Sequence, residues 1–167
     1  HPLFLTRGVP GTHDIKLINK TIIKIKKRKF KTVLIPKFDK AVDDRCRINK
    51  WHKIKTQPDI ILFEGWCVGA KNQKISDLKK SLNLIEKKYD PDLYWRKKVN
   101  NYLQGQYRKL FNKIDKLVYL KAPNFEHIFE WRWLQEQKLK LTSKNKKTMS
   151  KTEVKKFIMF YERITRQ

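Results

Sequence analysis

The stretch DIILFEGW, residues 59–66, decides how the rest of the chain is read, because a short apolar run ends there in a carboxylate followed by glycine. Its apolar residues 60–63 read as a strand covered on both faces, the pattern of a parallel sheet. Glu64 then stands at the carboxyl end of that strand. In open α/β sheets the ligand crevice lies beyond the carboxyl ends of the strands, so an acid in this position can hold a metal or a substrate hydroxyl. A strand followed by a merely solvated acid is the alternative, and the octapeptide alone leaves both open.

On the N-terminal side, Thr12 is expected to cap a helix beginning near His13, in which Ile15, Ile18, Ile22 and Ile25 recur at helical spacing and place one stripe on a core. The basic run of residues 24–31 ends it. Residues 32–35 form a short strand rich in β-branched side chains, stopped by Pro36. A polar loop to about Gln57 follows. On the C-terminal side, Leu78, Leu82 and Ile85 mark a modest helix. Asp90 and Pro91 supply an N-cap and a first-turn proline for a longer one, lined by Trp95, Val99, Tyr102, Leu103, Leu110 and Phe111. Residues 117–120 read as a third buried strand. Asn124 can cap a helix running to about Leu141, residues 144–147 form a solvated loop, and Ser150 with Glu153 has capping-box spacing for a last helix. Strands alternating with helices indicate an α/β chain, mainly a parallel sheet with helices on both faces. No repeat or interdomain linker interrupts it, so residues 1–167 are expected to form one domain.

Size and composition agree with a folded chain: 167 residues, 40% hydrophobic, with five Trp, six Tyr and nine Phe, can bury a core despite 34% charged residues. The net charge of +25 concentrates anions around the molecule and keeps nucleic acid in play. Lysine, however, far outnumbers arginine and is spread along the whole chain, as drift in an AT-rich genome produces. A nucleic-acid surface more often concentrates arginine, whose planar fork suits phosphates and guanine edges. Cys46 and Cys67 have neither CxxC spacing nor a nearby histidine pair, which points to reduced thiols and a cytoplasmic location. No apolar run approaches the ~20 residues of a membrane span. The opening HPLFLTRG lacks the order of a signal peptide. The chain begins with His1, so the start is expected to be processed or the chain to be a piece of something longer.

Three candidate strands end in polar or special sequence, at Lys37-Phe38-Asp39-Lys40, at Glu64-Gly65-Trp66 and at Lys121-Ala122-Pro123-Asn124. Side by side, their ends would gather Asp39, Lys40 and Glu64 along one rim, an arrangement suited to metal-assisted phosphoryl transfer. An ordinary surface salt bridge is the plain alternative. RGVPGTHD, residues 7–14, combines a basic side chain, two glycines around a proline and a helix start, so Arg7 and His13 could grip a carboxylate or phosphate. A turn with an N-cap explains the same residues except His13. In WRWLQE, Arg132 shares a helical face with Gln135 and Glu136, giving either a local ion pair or an arginine aimed at nucleotide phosphates. A phosphate-cradling GxxxxGK[ST] loop is absent from this sequence of five glycines.

Taken together, RGVPGTHD, PKFDKAVDDR, EGWCVG, YWRKKVNNYL, WRWLQE, MSKTEV and YERITR resemble the D-glycerate 3-kinase-like branch of the P-loop kinases, alongside uridine kinase, phosphoribulokinase and bacterial pantothenate kinase. The resemblance implies an incomplete P-loop NTPase-type α/β fold. It also implies ATP- and magnesium-dependent phosphorylation of a hydroxyl on a small acid, D-glycerate in characterised relatives. In that picture Glu64 is a catalytic acid near magnesium. Asp39 and Lys40 act at the reacting groups, and Arg7, His13, Asp14, Lys37 and Arg45 form the acceptor side. Arg132 and Gln135 belong to a lid helix over ATP. Relatives carry a strand and Walker A loop, then an Asp-Asp-Phe-Tyr-type segment, upstream of the position of His1, and continue beyond the end of this chain. Truncation at both ends is therefore expected. Ala41 and Asp43 stand where relatives usually have serine and glycine, which leaves the acceptor open.

Two other classes compete, a basic nucleic-acid-binding module and a noncatalytic domain completed by another chain. Missing sheet neighbours would also leave exposed edges that invite self-association. Without P-loop amides and their lysine the β- and γ-phosphates lose most of their fixed donors. This chain alone is therefore expected to bind Mg-ATP weakly and to turn over little, and calorimetry giving micromolar affinity would contradict that.

Overall fold

The computed structural model describes residues 1–27, 32–40, 42–142 and 148–167. Part of the basic run 24–31, Ala41 and the loop expected at 144–147 lie outside the described residues. The chain divides into two compact units, one comprising Asp14–Glu64 and the other His1–His13 with Gly65–Gln167.

In the Asp14–Glu64 unit, helix α1 (Ile15–Lys26) buries Ile15, Thr21 and Ile25. Its N-cap is Asp14, whose carboxylate accepts from the Leu17 amide at 3.0 Å, two residues beyond the expected Thr12. Strand β1 (Val33–Ile35) pairs antiparallel with β4 (His52–Ile54), placing Val33 opposite Ile54 and Ile35 opposite His52. Strands β2 (Phe38–Asp39) and β3 (Asp44–Arg45) form a second antiparallel ladder. Asp43, at φ 50°, turns the chain between them, a left-handed conformation that Asp tolerates better than most residues. The segment expected as a polar loop therefore contains three short strands. Its fold is pinned by the Trp51 indole donating to the Cys46 carbonyl at 2.8 Å and by the Cys46 amide donating to the Lys37 carbonyl at 2.8 Å.

The second unit is helical: α2 (Ile75–Lys79), α3 (Leu84–Tyr89), α4 (Tyr94–Tyr102), α5 (Arg108–Phe111), α6 (Phe125–Thr142), α7 (Lys151–Ile158) and α8 (Glu162–Thr165). A π-helical turn, Leu103–Tyr107, joins α4 to α5. Trp95, Val99, Leu103 and Leu110 of the expected stripe are buried, and Tyr107 joins them. Leu3, Val9, Ile85, Trp95 and Val99 form the core, with Phe4, Met159, Phe160, Tyr161 and Ile164 packed against it. Asn124 caps α6 by accepting from the His127 amide at 3.0 Å, and the Ser150–Glu153 capping box forms as its spacing predicts.

The mixed α/β character stands, but both described sheets are two-stranded and antiparallel; the expected parallel sheet is not among them. Residues 60–63 and 117–120 form no described strand. Ile60, Leu62 and residues 117–120 hold their apolar side chains in solvent, Leu62 at 88% and Leu120 at 90% exposure, while Ile61 and Phe63 are half-buried. The physical reason is that an extended run becomes a strand only where a neighbouring ladder accepts its backbone groups, and no described strand pairs with either run. Among the described residues no helix is long and apolar enough to cross a membrane.

Burial of charge organises the helical unit. Arg163 forks onto Glu86, Nε to Oε1 and Nη2 to Oε2, each at 2.6 Å. Arg96 Nε donates to Asp90 Oδ2 at 2.8 Å, and its remaining donors reach the carbonyls of Leu78 and Asp90. The sequence predicts Asp90 as a simple N-cap with Pro91 at the first helical position. Its carboxylate instead takes the amides of Trp95 at 2.7 Å and Arg96 at 3.1 Å, while Leu93, at φ 64°, occupies the N-cap position and Pro91 stays outside the helix. Replacing Asp90 by alanine strands a buried guanidinium and leaves two helix-start amides unpaired. Asp90→Ala is expected to lose about 3–5 kcal/mol, read as a lower urea midpoint, whereas the exposed Asp92→Ala changes it by less than about 0.5 kcal/mol.

Candidate functional site

Three aromatic side chains from three separate segments fasten the loop of residues 7–13. The Trp66 indole donates to the Gly8 carbonyl at 2.9 Å. The Tyr161 hydroxyl donates to the Arg7 carbonyl at 3.0 Å. The Tyr107 hydroxyl accepts from the Gly11 amide at 2.9 Å and lies 2.7 Å from His13 Nδ1. Trp66 and Tyr161 also meet edge to face at 5.0 Å. Each is an apolar ring with one polar tip, the side-chain type that can be packed and hydrogen-bonded at once.

The loop is also braced from within. Thr12 Oγ1 donates to the Val9 carbonyl at 2.8 Å and accepts from the Gly8 amide at 2.9 Å, which is why it does not cap α1. Val9 is fully buried and anchors the loop in the core. Gly11, at φ +107°, is required twice over: its conformation disfavours other L-residues, and an added Cβ would sit 2.5 Å from Tyr102 Cε2.

This bracing holds Arg7 and His13 on one short, fixed loop. Burial, and secondarily the charge of Arg7, push the His13 pKa below its ordinary value, so the imidazole is neutral at neutral pH. Burial raises the Tyr107 hydroxyl to about 12, so it stays neutral. Burial likewise raises the Cys67 thiol to about 11, which makes it an inert core thiol rather than a nucleophile.

The other expected site residues fall as follows. Asp14 and Arg45 form an ion pair at 3.2 Å, with both side chains substantially exposed. Lys37, Asp39, Lys40 and Arg45 lie on or beside the β2–β3 ladder, where Asp39 faces Asp44. Lys37, Asp39, Lys40 and Glu64 are exposed. The parallel strand ends from which a rim of Asp39, Lys40 and Glu64 was derived do not form among the described residues. Among those residues no three His, Cys, Asp or Glu side chains gather into a metal cage.

On α6, Arg132 Nη2 meets Glu136 Oε1 at 2.5 Å and Nη1 reaches Gln135 Oε1 at 3.4 Å. Its guanidinium also lies over the Phe157 ring, 5.5 Å from the centroid. The local ion pair is therefore formed, and Glu136 additionally accepts from the Met149 amide at 2.8 Å. Sequence reading missed Tyr107, Trp66 and Tyr161 as the braces of the loop. For Trp66 and Tyr161 the available signal was an aromatic residue with a polar tip inside a quoted motif, EGWCVG and YERITR; Tyr107 lies outside all of the motifs.

No protein-family model matches the chain. It is 32% identical over 169 residues to the uncharacterized kinase mug58 of Schizosaccharomyces pombe, across 96% of this chain and 58% of the relative. It is 27% identical over 161 residues to the chloroplastic D-glycerate 3-kinase of Arabidopsis thaliana, across 93% of this chain and 32% of that enzyme. Among solved structures, a D-glycerate 3-kinase from Cryptococcus neoformans superposes with a TM-score of 0.80 at 24% identity, over 98% of this chain and 58% of that one. The chain thus spans less than two thirds of the relatives it matches. Its homologues are D-glycerate 3-kinase and related kinases, which it resembles in sequence, and its fold is similar to that of a D-glycerate 3-kinase.

Proposed function

We propose that the chain is the acceptor and lid portion of an ATP-dependent kinase that phosphorylates a hydroxyl of a small acid of the D-glycerate class. The observation that carries this reading is the loop of residues 7–13, where a guanidinium and a neutral imidazole share one rigid, aromatic-braced backbone. A cation and a directional N–H donor side by side suit one carboxylate. Backbone fixed before the ligand arrives spares it the ordering cost.

The remaining assignments follow the resemblance. By resemblance, Arg45, Asp14 and Lys37 are assigned to acceptor binding, and Asp39 and Lys40 to the reacting groups. Glu64 holds magnesium. A lone carboxylate fits that ion, which usually keeps several waters and is bound through one or two carboxylates and substrate phosphates rather than a protein cage. Arg132 and Gln135 lie on the helix assigned to the nucleotide. ATP with magnesium supplies the phosphoryl group when bound. The single-domain reading and the parallel sheet are proposed with this function. In each unit, the exposed apolar run, residues 60–63 or 117–120, is a strand sequence without its ladder, and such edges are the source of self-association. Since the sequence holds no GxxxxGK[ST] loop, the chain alone is assigned little turnover, and its reduced thiols assign it to the cytoplasm.

A phosphorylation assay on the protein that carries this chain, run with D-glycerate and a panel of related hydroxy acids, tests the reading. Arg7→Ala and His13→Ala are expected to raise KM for the acid about tenfold or more, the size of one lost charge-assisted hydrogen bond, with KM for ATP little changed. Arg132→Ala is expected to do the reverse. Phosphorylation of none of the acids, together with saturable nucleic-acid binding that falls steeply with salt, would favour the basic-module reading instead.

A further inference from the structure

Tyr107 closes the π-helical turn and is 2% exposed, yet its hydroxyl touches two groups of a loop more than ninety residues away. The bonding at that oxygen can be worked out atom by atom. The Gly11 amide can only donate, so it takes one phenolic lone pair and leaves the hydroxyl hydrogen to be placed. Burial keeps that hydrogen from water. Among the described residues the one acceptor within reach is His13 Nδ1, at 2.7 Å. With a proton on Nδ1 instead, the oxygen would accept two bonds while its own hydrogen lay buried without an acceptor, the costlier arrangement.

We propose that Tyr107 is a positioning residue that locks His13 as the neutral Nε2–H tautomer, through a relay from Gly11 N–H to Tyr107 O–H to His13 Nδ1, so that Nε2 is presented as an uncharged hydrogen-bond donor to the acid group of the acceptor. The donor role rests on the acceptor-side reading of His13; the tautomer lock does not.

Charge around the ring supports the neutral form. Arg7 bears on His13 with a positive charge, which disfavours a second cation beside it. On the far side, Cys67 and Tyr102 neighbour Tyr107, and the Cys67 thiol, pushed up to about 11, brings no charge at neutral pH. Protonating Nδ1 would also break the relay. The division of labour follows: Arg7 supplies charge, and His13 supplies direction at a fixed position without repelling Arg7.

The sign of the pH effect is set by the lowered His13 pKa. The unfolded chain binds more protons than the folded one between the two pKa values, so stability falls as pH drops through the ordinary histidine value toward the folded one.

Long-range proton–nitrogen correlation spectra of histidine-labelled protein test the lock directly. The wild type at neutral pH is expected to show Nε2 protonated and Nδ1 bare; a dominant Nδ1–H form overturns the proposal. Tyr107→Phe is expected to mix the tautomers and raise the His13 pKa toward its ordinary value, while Tyr102→Phe leaves both unchanged. Should Tyr107→Phe fail to fold, the wild-type spectrum decides alone. Adding sodium D-glycerate to the wild type is expected to shift the Nε2–H signal. A locked tautomer that responds to none of the hydroxy acids overturns the donor role and with it the acceptor-side reading of His13. A mixed tautomer that still responds to the acid overturns the lock alone.

Discussion

Two arginines buried against two carboxylates set the geometry of the helical unit. Arg96, Asp90, Glu86 and Arg163 are each less than a tenth exposed, and their charges cancel. Removing such groups from water is costly unless every donor finds an oxygen, and the spare guanidinium donors do so at the carbonyls of Asp77, Leu78, Lys80 and Asp90. Helices α2, α3 and α8 span only four to six residues, too short to persist on their own. Their ends are held because their carbonyls and side chains are what the arginines require. α4 leads through the π turn to Tyr107, and α8 begins one residue after Tyr161. The ion cluster therefore positions two of the three aromatic residues that fasten the loop of residues 7–13.

This separates scaffold from chemistry within the motifs. Arg96 of YWRKKV and Arg163 of YERITR are basic residues in segments that resemble a phosphate-handling family, yet both are consumed by Glu86 and Asp90. Arg132 of WRWLQE is engaged too, though at the surface of α6, by Glu136. An ion pair that keeps one partner about a quarter exposed can be exchanged for a phosphate at far lower cost than one buried on both sides. Of these three arginines, Arg132 alone is placed where a ligand could compete for it.

What the sequence made legible follows the range of the interactions involved. The Ser150–Glu153 box, the Asn124 cap and the Arg132–Glu136 pair all lie within four residues, and all formed. The start of α1 did not follow, because Thr12 and Asp14 are both good caps and a loop fold decided which oxygen was free. Asp90 was read as a local cap, while its second role depends on Arg96 losing access to water. The strands at 60–63 and 117–120 were read from apolarity alone, and apolarity specifies burial without supplying the ladder that makes a strand. In the site, Arg7 and His13 could be found from the Gly-Val-Pro-Gly turn beside them. Tyr107 could not, because nothing local marks a contact spanning 94 residues.

The charge of the chain sharpens the argument for fixed donors. The buried quartet is neutral, so the +25 excess sits mainly at exposed positions, where it draws every anion toward the surface with little preference. Exposed lysines at that density raise encounter rates for ATP, for a small acid and for nucleic acid alike, and they weaken together as salt rises. Discrimination has to come from groups whose positions survive that screening. In the proposed function those are the donors carried on the braced loop of residues 7–13: the guanidinium of Arg7 and, with its hydrogen placed by Tyr107, the Nε2 of His13. In the proposed function, a long-range field collects the anion and a short-range, oriented pair selects the one whose carboxylate fits.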